Sequence, residues 1–238
     1  MPIDELVREI IDVRAPIGYG GRFYGAYPAV VKDVADPDGQ GRVRVSLPWS
    51  PDGSNTGYEA WARLATLMAG SGRGTWFIPD VNDEVLVIFA AGNPAMPFVV
   101  GGLWNGQDAP PQSMDGAGRN DIKQIKSRNG VAITLDDASG QEKVTIETPG
   151  GNKVSLTDGP GVVEIADSNG NSVKLEASGI TVTASAKVTV NASMATISAS
   201  MLTVDAGMSK FSGVVQADTI ISNSVISASY TPGAGNIW

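Results

Sequence analysis

Short strand signals repeat along the second half of the chain with little between them. Val144-Thr145-Ile146, Val154-Ser155-Leu156, Val163-Glu164-Ile165 and Val173-Lys174-Leu175 each read apolar, polar, apolar. Ile180-Thr181-Val182, Val188-Thr189-Val190, Ala195-Thr196-Ile197, Leu202-Thr203-Val204 and Ser209-Lys210-Phe211 continue the series. Successive side chains of a strand point to opposite faces, so the outer two of each triplet share a face and the middle one turns away. The starts advance by 10, 9, 10, 7, 8, 7, 7 and 7 residues. Turn formers lie between the early rungs: Thr148 to Asn152, Gly159-Pro160-Gly161 and Ser168 to Asn171.

A solenoid rung made by one chain has to travel round the coil, and the common repeats take roughly 20 residues or more. A step of 7–10 residues holds one short strand and one tight turn. One chain therefore makes only a narrow zigzag ribbon, with its apolar face open to water. Three ribbons turned to a common axis make a closed prism without a long open edge. On that reading the core is Val144, Ile146, Val154, Leu156, Val163, Ile165, Val173, Leu175, Ile180 and Val182, continued by Val188, Val190, Ile197, Leu202 and Val204. Thr145, Thr181, Thr189, Thr196 and Thr203 would face outward and keep the surface wettable. The alternative is an antiparallel meander packed on another sheet of the same chain, for which the rest of the chain offers no spare sheet.

The pattern before the ladder predicts a compact β domain over 24–105. Tyr27 to Asp33 is strand-like, and Ala35 to Gly41 has turn chemistry. Arg42 to Pro48 alternates, Ala60 to Ala65 is a third strand, and Gly70 to Gly74 is a glycine-rich hairpin loop. Thr75 to Pro79, Glu84 to Phe89 and Phe98 to Trp104 complete five or six strands, which suits a small OB-type barrel. Residues 1–23 hold a short amphipathic helix, with Leu6, Val7, Ile10 and Ile11 on its apolar face, and a Pro/Gly linker. Residues 106–130 read as a second linker, 131–222 as the ladder and 223–238 as a closing segment.

Several motifs of the barrel occur in a fixed order. They are Val31-x-Asp33 with Asp36-Pro37, Gly41-Arg42-Val43-x-Val45-x-Leu47-Pro48, Trp61-Ala62-Arg63, Gly74-x-x-Phe77-x-Pro79 and Asp83-Glu84-Val85-x-Val87-x-Phe89. Gly92-Asn93-Pro94-x-x-Pro97-x-Val99-x-Gly101 and Leu103-Trp104-Asn105 follow. Together they resemble the OB domain of the central spike of contractile injection machines. That family includes phage baseplate assembly protein V, the phage T4 cell-puncturing spike, the VgrG spike of type VI secretion and the spikes of extracellular contractile injection systems. The resemblance implies an all-β fold: an OB barrel followed by a trimeric, intertwined β-helix. It implies a structural, membrane-puncturing spike at the centre of a baseplate, between a tube and hub above and a tip below. No enzyme activity is expected.

Departures from the family refine that expectation. The T4 spike carries a lysozyme domain between barrel and β-helix, whereas 106–130 is too short and too rich in Pro, Gly, Gln and Asp for an enzyme. VgrG spikes fuse a hub domain ahead of the barrel, where this chain has about 23 residues. The hub is then expected as a separate protein, docked by Leu6, Val7, Ile10 and Ile11. The end, Tyr230-Thr231-Pro232-Gly233-Ala234-Gly235-Asn236-Ile237-Trp238, resembles the closing segment of short phage-type spikes. Tyr230, Pro232, Ile237 and Trp238 are expected to form an apex that seats a tip protein of the PAAR class. The expected location is the baseplate of a virion or phage-tail-like particle, made in the cytoplasm without a signal peptide, with transient contact to a target envelope.

Composition narrows the chemistry. The 238 residues carry a net charge of −8, with no Cys and no His. Without them there is no Ser–His or Cys–His nucleophile, no usual zinc site and no His-held iron at the tip. An acidic chain is a poor binder of nucleic acid. Gly70 to Gly74 is superficially like a phosphate loop but lacks the Gly-Lys-Ser/Thr ending. Asp83-Glu84 and Asp136-Asp137 are adjacent on strands or turns and so diverge; the run Asp136 to Glu142 lacks the spacing of a calcium loop. No catalytic residue, cofactor or metal is expected. Trp49, Trp61, Trp76 and Trp104 could stack bases on an OB face, but they sit where strand packing is ordinary and no basic groove accompanies them. Two alternatives remain: a nucleic-acid-binding OB protein with an oligomerising tail, and a trimeric adhesin fibre.

Overall fold

The computed structural model describes residues 22–50, 57–159 and 161–229. The helix residues Leu6, Val7, Ile10 and Ile11 and the apex residues Tyr230, Pro232, Ile237 and Trp238 lie outside the described residues. The chain divides into two units, one through Lys187 and one from Val188 onward.

The first unit begins with seven strands: β1 (Ala26–Asp33), β2 (Val43–Leu47), β3 (Tyr58–Leu64), β4 (Ala69–Gly70), β5 (Arg73–Gly74), β6 (Glu84–Phe89) and β7 (Pro97–Gly102). Five of them close a barrel in the order β1-β2-β3-β7-β6. Only β3 and β7 run parallel; the other pairs are antiparallel. Counting barrel strands alone, this is the 1-2-3-5-4 closure of an OB barrel. Period-two alternation supplies the interior: Tyr27, Ala29 and Val31 from β1, Val43, Val45 and Leu47 from β2, Val85, Val87 and Phe89 from β6 are all buried. One end is plugged by aromatic rings. Phe23 meets Phe89 at 5.0 Å and Trp49 at 5.2 Å between centroids, and Tyr27 stacks on Trp49 at 4.7 Å. The Trp49 Nε1–H donates to the Pro28 carbonyl at 2.8 Å, so its one polar atom is satisfied. Thr75 to Pro79, expected as a strand, is irregular. Pro79 brings no N–H to a ladder, and Trp76 and Phe77 stand in water rather than in the barrel.

The β1–β2 turn is built round one carboxylate. Asp36 accepts the backbone N–H of Asp38, Gln40 and Arg42 and a two-pronged contact from the Arg42 guanidinium, at 2.6 and 3.1 Å. The Arg42 contact, with these amides behind it, holds the Asp36 carboxyl well below the usual carboxylate range.

The ladder begins earlier than the triplets suggest. Seven strands form one antiparallel meander: β8 (Ile122–Lys126), β9 (Ala132–Asp136), β10 (Lys143–Glu147), β11 (Lys153–Thr157), β12 (Val162–Ala166), β13 (Ser172–Glu176) and β14 (Gly179–Thr183). β8 falls inside the 106–130 segment expected as a linker. Lys123 takes the place of one apolar residue there, so no apolar–polar–apolar triplet marks it. Each strand pairs with its sequence neighbour in unbroken register.

Hairpin turns stack on alternate sides of this ribbon, and glycine makes two of them possible. Gly151 has φ +87, and a Cβ there would come within 3.2 Å of the Ser168 side chain in the next turn on that side. Gly159 sits so close to the preceding turn that a Cβ would lie 2.4 Å from the Gly140 carbonyl oxygen. Gly159→Ala is expected to cost about 1–3 kcal/mol, because a backbone atom has to move. Gly150→Ala, with nothing within 4 Å, is the control and should change stability by about 0.5 kcal/mol or less. Equal melting temperatures for the two variants would show that the turns do not pack as described.

The second unit contains no strand among its described residues. The rungs expected at Val188-Thr189-Val190, Ala195-Thr196-Ile197 and Leu202-Thr203-Val204 are therefore not strands within one chain.

A candidate assembly face

Register places the ladder's side chains in rows. Leu135, Val144, Leu156, Val163, Leu175 and Ile180 are successive cross-strand partners. Ile133, Ile146, Val154, Ile165, Val173 and Val182 make a second row two residues along, begun by Ile125. Both rows lie on one face, because their members sit at the second and fourth positions of five-residue strands. Cross-strand partners this close interact, so each row is a continuous apolar stripe. Six strand spacings of about 4.8 Å make the strip about 29 Å long.

That face is open. Exposure is 37% at Val163 and Val173, 44% at Ile146, 48% at Leu156, 54% at Ile165 and 72% at Ile180. Among the described residues, the only sheets are the barrel, the meander and the two-stranded hairpin, so no further sheet covers the face. A contiguous apolar strip of this length marks an interface. Covering one such half-exposed Val, Leu or Ile contributes on the order of 1 kcal/mol.

The opposite face carries the polar middle positions: Gln124, Thr134, Thr145, Ser155, Glu164, Lys174 and Thr181, again in register. Gln124 Nε2 donates to Thr134 Oγ1 at 2.9 Å. Thr145 faces away from the apolar rows but is only 7% exposed, so it does not wet the surface as expected; it sits on a strand flanked on both sides, opposite Thr134 and Ser155 in register. The long side chains Glu164 and Lys174 pair across strands, and Lys174 contacts Glu176 at 2.5 Å.

The remaining site residues are scattered. Val188, Val190, Ile197, Leu202 and Val204 belong to the second unit, at 62–76% exposure, and lie on no sheet. The four tryptophans do not form one stacking platform. Trp49 is packed against the barrel core, Trp61 lies under Arg42 and Arg44 at 5.7 and 6.0 Å, and Trp76 and Trp104 are 76% and 69% exposed and lie outside the strands. Arg42 and Arg44 are matched by Asp36, Asp38, Asp33 and Glu59, so this part of the barrel is not a basic groove. Asp136 accepts the Ala138 N–H and Asp83 the Asp80 N–H, which makes both of them turn residues. Among the described residues, no group of three or more His, Cys, Asp or Glu is placed to hold a metal.

The β12–β13 turn carries the ladder's most perturbed carboxylate. Asp167 accepts the Asn171 Nδ2 at 2.7 Å and the backbone N–H groups of Asn169 and Asn171 at 2.9 Å each. The Asn171 side chain, then its amide, lowers the Asp167 pKa from 3.8 to about 2. A depressed carboxylate favours the folded state while ionised. That contribution is complete above the unfolded value of about 3.9 and is lost as pH falls from there through about 2. A carboxyl titration followed by NMR should give a midpoint near 2, and Asn171→Ala should return it toward 3.8. An unchanged midpoint in that variant would remove Asn171 as the cause.

With this geometry in place, similarity to known proteins falls on both parts of the chain. Residues 27–104 match the type VI secretion system/phage-baseplate injector OB domain. Residues 143–203 match the phage baseplate V C-terminal trimerisation domain. Type VI secretion system spike protein VgrG1a of Pseudomonas aeruginosa is 30% identical over 116 residues, covering 46% of this chain and 18% of the relative. VgrG3 of Vibrio cholerae is 28% identical over 128 residues, 49% of this chain and 13% of that protein. The actin cross-linking toxin VgrG1 of Vibrio cholerae is 25% identical over 126 residues, 48% and 12% respectively. The chain spans less than a fifth of the length of these relatives.

Proposed function

The chain belongs to the baseplate V and VgrG family of injector spikes, and from that premise we propose that it is the short central spike of a contractile baseplate, acting as a homotrimer. One observation carries this: an apolar face about 29 Å long, open in the single chain, in a region that matches a trimerisation domain. Three chains related by a three-fold axis bury this face against its own copies. Val144, Ile146, Val154, Leu156, Val163, Ile165, Val173, Leu175, Ile180 and Val182 then line the axis of one part of the spike. Val188, Val190, Ile197, Leu202 and Val204 line its continuation.

The action is mechanical. A spike driven through an envelope needs resistance to unfolding, not turnover. The barrel supplies a rigid base, with its interior filled by Val, Leu and aromatic side chains. A hub partner is placed at Leu6, Val7, Ile10 and Ile11, and a tip protein of the PAAR class at Tyr230, Pro232, Ile237 and Trp238. Baseplate and tube components complete the set of partners, and contact with the target envelope is transient.

The test is genetic. Contractile particles made without this gene should fail to breach the target envelope, and supplying the chain in trans should restore delivery. Particles that assemble and deliver normally without it would overturn the proposal.

A further inference from the structure

Past Lys187 the wet side of the chain changes character. In the meander, the face away from the apolar rows carries Lys126, Lys143, Glu147, Lys153, Glu164 and Lys174. Between 188 and 229 the charged residues are Asp205, Lys210 and Asp218 alone. Apolar residues do not thin out with the charges. Met194, Met201, Met208, Val214, Ile221 and Ile226 are added to the Val, Leu and Ile positions already placed at the axis.

The bends of the backbone tell which side these residues take. They fall at Ser193, Ser200, Gly207, Gly213, Asp218, Asn223 and Ala228, with straight runs between them. Along a straight extended run, side chains two apart share a side and adjacent ones oppose each other. Asp205 and Lys210 stay in water, because an unpaired charge is not taken into a dry core. Met201 lies four residues before Asp205 and Met208 two before Lys210, so both methionines share the wet side, opposite Leu202, Val204 and Phe211. Met194 holds the same position seven residues earlier. Further on, apolar residues come as adjacent pairs: Val214-Val215, Ile220-Ile221 and Val225-Ile226. One member of each pair therefore faces away from the axis, whichever way the run is turned. Exposure picks it out: Val214, Ile221 and Ile226 are 94–99% exposed, their neighbours 55–70%.

Six apolar side chains on the side that a three-fold axis leaves uncovered call for another occupant. Symmetry repeats the stripe on every side of the trimer, so whatever covers it has to surround it. A bilayer does this, and a protein docked at one place does not. With so few charges, little has to be stripped of its water on entering an apolar layer. Methionine adds a flexible thioether that adapts to irregular neighbours such as acyl chains. We infer that Met194, Met201, Met208, Val214, Ile221 and Ile226 form a lipid-contacting surface, set against the acyl interior of a bilayer. This rests on the trimer proposed above and names the part of the chain that meets the membrane.

Flotation of the full-length protein with lipid vesicles, with particle mass read in parallel, tests this. Wild type should float with vesicles of neutral phosphatidylcholine, and added salt should not release it, because the contact is apolar. The triple variant Val214→Ser, Ile221→Ser, Ile226→Ser should keep the three-chain mass and bind at least about tenfold more weakly. A second triple variant, Met194→Gln, Met201→Gln, Met208→Gln, keeps side-chain length and should weaken binding in the same direction. Lys153→Ser, on the charged face of the meander, should leave binding unchanged. A wild-type trimer that does not float, or variants that float as well as wild type, overturn the inference and leave the stripe to a protein partner. Binding only to anionic phosphatidylglycerol vesicles, abolished by salt, overturns it too. Loss of the trimer in either triple variant would place those side chains at the axis and has the same consequence. A wild-type particle whose mass is not three chains overturns the trimer itself, so the two failures are told apart.

Discussion

Val182→Asp should abolish the trimer at micromolar concentration, while its neighbour Thr181→Asp leaves it intact. The two residues are adjacent on β14 and both are exposed in the single chain, at 59% for Val182. They point to opposite faces. Val182 continues the apolar row beside Val173, and Thr181 lies beside Lys174 on the polar face. In the trimer the first substitution brings three carboxylates to a dry axis, where unpaired charge costs several kcal/mol per ion. The second places a carboxylate opposite Lys174 and in water, an exposed pairing worth about 1 kcal/mol or less. Sedimentation or light scattering distinguishes the outcomes. Equal loss of trimer in both variants would mean that the face has been assigned wrongly.

Phe89→Ala should destabilise the barrel by about 3–5 kcal/mol, and Ile88→Ala by less than about 1 kcal/mol. Phe89 is 8% exposed, and its ring lies 5.0 Å from Phe23 and 5.9 Å from Tyr27. Removing it leaves a cavity at the end of the barrel that the rigid β1–β6 pairing cannot close. Ile88, the preceding residue, is 40% exposed on the outer surface. Denaturation followed by the fluorescence of Trp49, which touches Phe23 and Tyr27, reads this region directly. Similar midpoints for the two variants would contradict the placement of the aromatic plug.

Much of this architecture could be read from alternation alone. The triplets from Val144 to Val182 fixed which side chains share a face, because a period of two leaves one choice once a strand is granted. The barrel strands and the Asp36 turn were legible for the same reason and from turn chemistry. Three features were not. β8 was hidden because Lys123 replaces an apolar residue in the row, and its pairing with β9 through Ile125↔Ile133 depends on contacts across a turn. Trp76 and Phe77 looked like strand residues, yet a segment ending in Pro79 has no ladder to join. The change at Lys187 was least visible. Side chains repeat in the same manner on both sides of it, so the pattern does not record that, among the described residues, pairing within the chain stops after β14.

Native mass measurement of the full-length chain at micromolar concentration tests the central claim most directly. The account predicts one species at three times the 24.6 kDa chain mass, stable to dilution. A folded monomer, with the apolar rows of β9–β14 still open to water, would contradict it.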